Sequence, residues 1–258
     1  MWKFIRLSVL VTALVVVAGA AWLDRVRTTE WKKPLRVGIF PMNADGSDAA
    51  ARYISGLSAQ TFADVEAFFR TEAQRYALEV PRGPVSIELF PEQTTLPPVL
   101  EAGSGPLATA WWSLRMRWYA NAASDVPGRA EPQIRLFVLY HDPALNARVP
   151  HSLGLQKGLF GVVHAFADPS MRGQNNIVVA HELLHTLGAT DKYDLATGAP
   201  IFPHGYAEPD LDPRVPQRAT EIMAGRRPVS ETAHEMPEDL RSVVVGSKTA
   251  AEIGWARQ

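Results

Sequence analysis

The chain has no cysteine. Disulfides and thiolate metal sites are therefore excluded, and so is any latency device in which a cysteine blocks a metal. Nor is there an excess of either charge: 26 basic and 27 acidic side chains leave a formal net charge of −1. That balance gives no electrostatic basis for binding nucleic acid. Internal repeats and low-complexity tracts are missing, and no apolar run of helix length occurs after residue 23. About 230 residues then remain for one compact domain with a sizeable core.

The N-terminus is different. Leu7 to Leu23 is uncharged and mostly apolar, with Lys3 and Arg6 before it. It is at the short end of what spans a bilayer. A basic start, an apolar stretch and Ala18-Gly19-Ala20 also fit a cleavable signal peptide. Residues 1–30 are thus expected to be a signal peptide or a membrane anchor, and the protein to be exported. Arg25, Arg27, Lys32 and Lys33 outnumber the basic residues ahead of the run, so its orientation stays open.

Beyond Pro34, strands and helices alternate. Leu35–Phe40 reads as a buried strand. Ser58 caps a predicted helix to about Tyr76, with Phe62, Val65, Phe69 and Ala73 at helical spacing. Val85–Phe90 alternates as a second strand. After a Pro- and Gly-rich loop (91–106) comes a helix carrying Trp111, Trp112, Leu114, Met116, Trp118 and Tyr119, with Arg115 and Arg117 among them. Aromatics interleaved with arginine can form a stacking platform for nucleic acid. Two arginines are a thin basis for that, and an amphipathic packing helix is the expectation. Gln133–Tyr140 and Leu159–Ala167 read as further strands. From 189 onward, prolines at 200, 203, 209, 213, 216, 228 and 237 forbid long regular elements. A short helix from Ser247 or Thr249 through Trp255 closes the chain.

The chemistry concentrates in His181-Glu182-Leu183-Leu184-His185-Thr186-Leu187-Gly188-Ala189-Thr190-Asp191. Histidines four apart lie one above the other on a helix face, so both imidazoles reach one ion. Glu182 sets a carboxylate beside that ion without ligating it. Gly188 stops the helix by tolerating a left-handed turn, which brings Asp191 round as a third ligand. Two imidazoles, one carboxylate and an open fourth position describe a catalytic zinc site rather than a closed structural one. The helix is predicted to start after Asn175 or Asn176, both good caps. Ile177, Val178, Val179, Ala180, Leu183, Leu184 and Leu187 make it apolar nearly all round. Two histidines and a glutamate inside such a helix are costly without a metal or partners.

His-Glu-x-x-His-x-x-Gly-x-x-Asp resembles the metzincin zinc peptidases, in the variant with aspartate as third ligand. That variant occurs in snapalysin and in peptidases like immune inhibitor A. The run Asp191-Lys192-Tyr193-Asp194 is most similar to the latter group. Metzincins also carry a methionine turn beneath the metal, and Glu221-Ile222-Met223-Ala224-Gly225 matches it. The resemblance covers this motif and turn, and otherwise only the order of elements. It implies an α/β (α+β) zincin: a twisted mixed sheet with long helices in an N-terminal subdomain (31–188), and a small loop-rich C-terminal subdomain (189–258). It further implies that Val162, Val163, His164, Ala165 and Phe166 form the sheet edge on which an extended substrate pairs. On residue type alone, His164 is a packed side chain rather than a ligand.

The implied activity is zinc-dependent hydrolysis of a peptide or protein substrate, with Glu182 as general base. The tyrosine that many metzincins place two residues after the turn methionine is replaced here by Gly225. Tyr193 or Tyr206 are candidates to bind the oxyanion instead, and Asp194 is read as an orienting or loop-stabilising group. Two alternatives stand beside this. In one, the third ligand is a downstream glutamate, Glu208 or Glu221. In the other, a membrane-tethered, non-catalytic protein keeps the metal for stability, against which the intact Glu182 speaks.

Overall fold

A computed structural model describes residues 30–100, 103–156 and 158–256, together with Arg6 and Gly19. Apart from Gly19, the run Leu7–Leu23 lies outside the described residues. Among the described residues no helix is long and apolar enough to cross a membrane.

One five-stranded mixed sheet organises the chain: β1 (Leu35–Asn43), β2 (Val85–Leu89), β3 (Ile134–His141), β4 (Leu153–Leu155) and β5 (Phe160–Phe166), in the order β2-β1-β3-β5-β4. All pairings are parallel except that of β4 with β5. All eight residues of β3 are buried, because a central parallel strand is covered on both faces. Its side chains alternate between two cores: Leu136, Val138 and Tyr140 in one, Phe137 and Leu139 in the other. Arg135 and His141 are the polar exceptions, His141 pairing with His164 and Arg135 with two partners on the chain before β3. The Arg135 guanidinium is held by Ser124 Oγ at 2.6 Å and by the Glu131 carboxylate.

Helices α1 (Asp48–Ser55), α2 (Ala63–Arg75), α4 (Arg172–Thr186) and α5 (Ser247–Glu252) bury their apolar residues in the first core. Helix α3 (Pro106–Ser124) covers the opposite face with Trp112, Met116, Ala120 and Ala123. Helix α1 was not predicted; Ser47 caps it, its Oγ accepting from Ala50 N–H at 3.1 Å. The helix predicted from Ser58 is a 3₁₀ turn (Ala59–Phe62) followed by α2. Phe62, Val65, Phe69 and Ala73 are buried as their spacing predicts.

Two expectations need correction. Helix α4 begins at Arg172, before the asparagines proposed as caps. Both asparagines are buried within the helix and bind neighbouring backbone instead. Asn175 Oδ1 accepts from Phe166 N–H at 3.1 Å and its Nδ2 donates to Phe166 O at 2.9 Å; Asn176 Nδ2 donates to Thr61 O at 2.9 Å. The second concerns Val162 to Phe166, which is not the sheet edge. Strand β4 lies outside β5, pairing Leu153 with Val162 and Leu155 with Phe160. Farther along, Ser152 Oγ takes His164 N–H at 2.9 Å and Asn175 closes Phe166. The outward N–H groups of β5 are thereby taken, and the outermost strand is β4.

The segment after residue 188 contains only short pairings, β6 (Thr220–Glu221) with β9 (Val243–Val244) and β7 (Arg227–Pro228) with β8 (His234–Glu235). Its apolar residues nevertheless join the first core across the predicted boundary at 188; they include Ile222, Met223, Val245, Ile253 and Trp255. Trp31 meets Trp255 edge-on at 5.5 Å, and its Nε1 donates to Ile253 O at 2.7 Å. The start and end of the described chain therefore close the same core.

Candidate metal centre

Helix α4 presents His181 and His185 one turn apart, with ring centroids 4.7 Å apart. At the helix end Gly188 takes φ +102°, and Ala189 N–H bonds back to Leu184 O at 3.0 Å. A side chain at 188 would also strike Gln156, whose Nε2 lies 2.5 Å from the Cβ position. The turn carries the chain beneath the histidines, so that Asp191 Oδ1 lies 3.2 Å from each Nε2.

The outer partners fix the tautomers. His181 Nδ1 is 2.9 Å from Ile222 O, and His185 Nδ1 is 2.9 Å from Ala189 O. A carbonyl only accepts, so both Nδ1 atoms carry hydrogen and both Nε2 atoms turn lone pairs inward. Two lone pairs and a carboxylate oxygen then converge on one point. Asp191 Oδ1 has no hydrogen-bond partner, and neither has the buried Glu182 Oε2. Such a cluster repels itself unless a proton or a cation sits in its centre. Without a metal, Asp191, Glu182 and the Ile222 carbonyl outweigh the burial of His181 and raise its pKa. Burial alone would raise the pKa of Asp191, but with the histidines protonated in place of a metal their charge holds it well below the usual carboxylate range.

The spacing also fits a metal. Ligands about 2.0–2.1 Å from a tetrahedral ion lie roughly 3.3 Å from one another, close to the 3.2 Å between Asp191 Oδ1 and each Nε2. The ligand atoms of His181, Glu182 and His185 also fall within 4.8 Å of one another. Asp191 is the nearer carboxylate to both imidazoles. Glu182 is only 5 % exposed, and burial raises its pKa against the lowering pull of His181 and His185.

Below the histidines, Glu221–Gly225 forms a tight turn, with Ala224 N–H donating to Glu221 O at 3.0 Å. Met223 is fully buried there. The turn touches the site twice, through Ile222 O on His181 and through Met223 O, which accepts from Lys192 N–H at 2.9 Å. Met223→Ala is expected to destabilise the protein by about 2–5 kcal/mol, and Met223→Leu by less than about 1.5 kcal/mol. Denaturant unfolding of the two variants measures this, and an alanine variant as stable as the parent would contradict the burial.

Other candidates divide. Tyr193 is at the site, its ring 6.4 Å from that of His181. Burial, then the charges of Asp191 and Glu182, raise its pKa. Tyr206 stacks edge-on with Phe202 at 5.4 Å and bridges Thr220 through its backbone; among the described residues no contact joins it to the ligand candidates. Asp194 stabilises its own loop, accepting from Thr197 N–H at 2.8 Å and Thr197 Oγ1 at 2.9 Å. Glu208 pairs with Arg218 at 2.6 Å. Glu221 turns away from the metal site: Oε1 accepts from Thr249 Oγ1 at 2.6 Å and Gly246 N–H at 3.2 Å, and Oε2 from Ala224 N–H at 2.9 Å. Neither glutamate is placed as a ligand. His164 pairs with His141 at 2.9 Å, and burial, then His141, lowers its pKa to about 4. It is a packed side chain.

Sequence reasoning missed the residues that fix Asp191. Glu252 on α5 accepts from Thr190 N–H and Thr190 Oγ1, each at 3.0 Å, and from Lys192 Nζ at 2.7 Å. Lys192 Nζ also donates to Thr190 O at 2.6 Å. Both neighbours of Asp191 are thus tied to the C-terminal helix, by a residue about sixty positions away that bears no motif. It missed Gly154 too. A Cβ on that residue of β4 would strike Glu182 O and lie 2.6 Å from His185 Cβ. Only glycine lets the edge strand approach helix α4 so closely.

Neither a family model nor a curated protein matches the sequence. Among solved structures, wild-type OgpA from Akkermansia muciniphila is similar at 12 % identity and a TM-score of 0.38, over 88 % of this chain and 62 % of OgpA. Catalytically inactive OgpA in complex with an O-glycopeptide substrate gives 11 % identity and a TM-score of 0.39, over 86 % and 59 %. The chain thus matches about three fifths of the length of these neighbours.

Proposed function

We propose that this protein is a zinc-dependent peptidase. The observation that carries the reading is the convergence of two imidazole lone pairs and the unpartnered Asp191 Oδ1 beside the unpartnered Glu182 Oε2. His181, His185 and Asp191 would hold the zinc, which supplies polarisation of the scissile carbonyl and a more acidic water. Glu182 takes the proton of the attacking water on its carboxylate. It then delivers that proton to the nitrogen of the leaving amine. Its burial, which raises its pKa, suits a group that must both accept and return a proton. Met223 is buried in the turn whose Ile222 carbonyl holds His181, and Tyr193 is the candidate partner for the oxyanion. Export, with the run Leu7–Leu23 as leader or anchor, belongs to the same reading.

The substrate lies on β4 rather than on β5, as an extended strand paired with the free edge. Gly154 sets that edge against Glu182. Gly154→Ala should therefore force β4 away from α4 and lower kcat/KM by about 10²-fold, the cost of roughly 1 Å of misplacement. Zinc content should stay at the parent level. Unchanged kcat/KM would remove β4 from the substrate path.

The test is cleavage of a peptide library by the purified protein, its loss with a chelator and its return with zinc. Zinc bound at one ion per chain with no peptide cleaved would favour the non-catalytic binding protein.

A further inference from the structure

Helix α3 is apolar on two opposite faces. Its inner face packs on the sheet through Trp112, Met116, Ala120 and Ala123. Directly opposite, Leu107 (87 % exposed), Trp111 (64 %), Leu114 (61 %) and Trp118 (78 %) stand in solvent. Their spacing of four, three and four residues lines them up as one ridge along the outside of the helix. The preceding loop is tied to the same helix, because Trp112 Nε1 donates to Pro98 O at 2.8 Å and Tyr119 Oη to Thr95 O at 2.6 Å. On that loop Leu96 (47 %) and Val99 (85 %) are exposed as well. An exposed row of four large apolar side chains on one helix face marks an interaction site.

Charge indicates what covers it. Helical periodicity puts Arg115 on one flank of the ridge and Arg117 on the other, and the helix contains no carboxylate. Tryptophans on an apolar summit with arginines on both flanks match the layers of a bilayer surface. Indole rings sit at the headgroup level, and arginine stems lie along the acyl boundary while their guanidinium groups reach phosphate. A second copy of this chain is the poorer fit. A two-fold contact along the ridge would bring Arg115 and Arg117 of both copies near one axis, with no acid on either helix to offset them. The N-terminal segment fits poorly as well, since the described chain enters through Trp31 in the core on the other face of the sheet.

We propose that α3 seats this ridge in the headgroup layer of an anionic lipid bilayer. The chain then lies against the membrane by the face of the sheet opposite the candidate metal centre. This assignment stands apart from the peptidase reading and needs no catalysis for its test.

The absence of cysteine allows a single fluorophore to be placed at will. An environment-sensitive dye is attached to full-length Leu114→Cys and, on the far side of the sheet, to Gln74→Cys; both positions are exposed, so folding is undisturbed. Phosphatidylcholine vesicles are added with and without phosphatidylserine, brominated in the acyl chains as quencher. The expected result is a blue shift and bromine quenching at Leu114→Cys with phosphatidylserine vesicles, and neither at Gln74→Cys. Combining Arg115→Glu with Arg117→Glu should weaken this lipid response by about fivefold per arginine lost, the effect of about 1 kcal/mol for each basic residue at an anionic surface. A Leu114→Cys signal that ignores vesicles would overturn the proposal. So would shielding of that dye without lipid. Shielding that grows with protein concentration would assign the ridge to a second copy, and shielding relieved by deleting residues 1–29 would assign it to the N-terminal segment.

Discussion

Glu182→Gln is expected to leave zinc bound and to lower peptide hydrolysis by about 10²–10⁴-fold, the usual contribution of a positioned general base. The substitution preserves shape in a pocket where the side chain is only 5 % exposed, so packing is not the variable that changes. What changes is basicity at Oε2, an atom with no hydrogen-bond partner. The charge of the site sharpens this expectation. With Asp191 as ligand a zinc centre would carry one positive charge less than a three-histidine centre, so its water would be less acidic and depend more on the base. Zinc content and kcat/KM are measured on the same preparation. Hydrolysis within a few-fold of the parent, at full zinc occupancy, would falsify the assignment of Glu182 as base.

Asp191→Ala is expected to weaken zinc binding by more than the roughly 10–100-fold typical of losing an outer, orienting group. Its Oδ1 is 3.2 Å from both imidazole nitrogens, while Thr190 and Lys192 on either side are pinned to Glu252. The backbone should therefore stay in place, and the substitution should remove a ligand rather than unravel the turn. Asp194→Ala and His204→Ala serve as comparisons and should affect affinity much less, since Asp194 is occupied by Thr197 and His204 is exposed. Asp191→His should restore binding at least in part, because an imidazole at this position offers a nitrogen donor to the same ion. Competition with a zinc-sensitive dye provides the affinities. If Asp191→Ala held zinc as tightly as the parent, and lost it only when combined with Glu182→Gln, the third ligand would be Glu182 and the proposed mechanism would fail.

What could be read from the chain itself depended on how far apart the cooperating residues lie. His181 and His185 meet because one helical turn separates them, and Gly188 and Asp191 follow within the reach of a single turn of chain. The buried strand Ile134–His141 was legible because every residue of it must be apolar or specially partnered. The helix of aromatics at 106–124 was also legible, but not that its outer ridge would be left bare. Periodicity gives faces and not what covers them.

The errors have the opposite origin. Asn175 and Asn176 are good caps by local preference, yet inside the helix their amides bond other segments, Phe166 at the end of β5 and the distant Thr61. Leu153-Gly154-Leu155 has too few residues to show a strand's alternation, so the strand before α4 was mistaken for the edge. Which strand is outermost depends on which backbones pair, and backbone donors and acceptors are the same for every sequence but proline.

The sequence by itself determined the chemistry of the candidate site: two imidazoles and two carboxylates at helical and turn spacing, without a thiol, in a chain of balanced charge. Only the tertiary structure decided its geometry. It put Ile222 O and Ala189 O behind the histidines, which sets their tautomers and aims both lone pairs inward. It put Glu252 beside Lys192, which holds Asp191, and Gly154 against the helix, which makes β4 the edge. Each of these contacts except that of Ala189 joins segments far apart in the chain, or depends on a close approach between backbones. A short stretch of sequence cannot specify such contacts, because they form only when the whole core has closed.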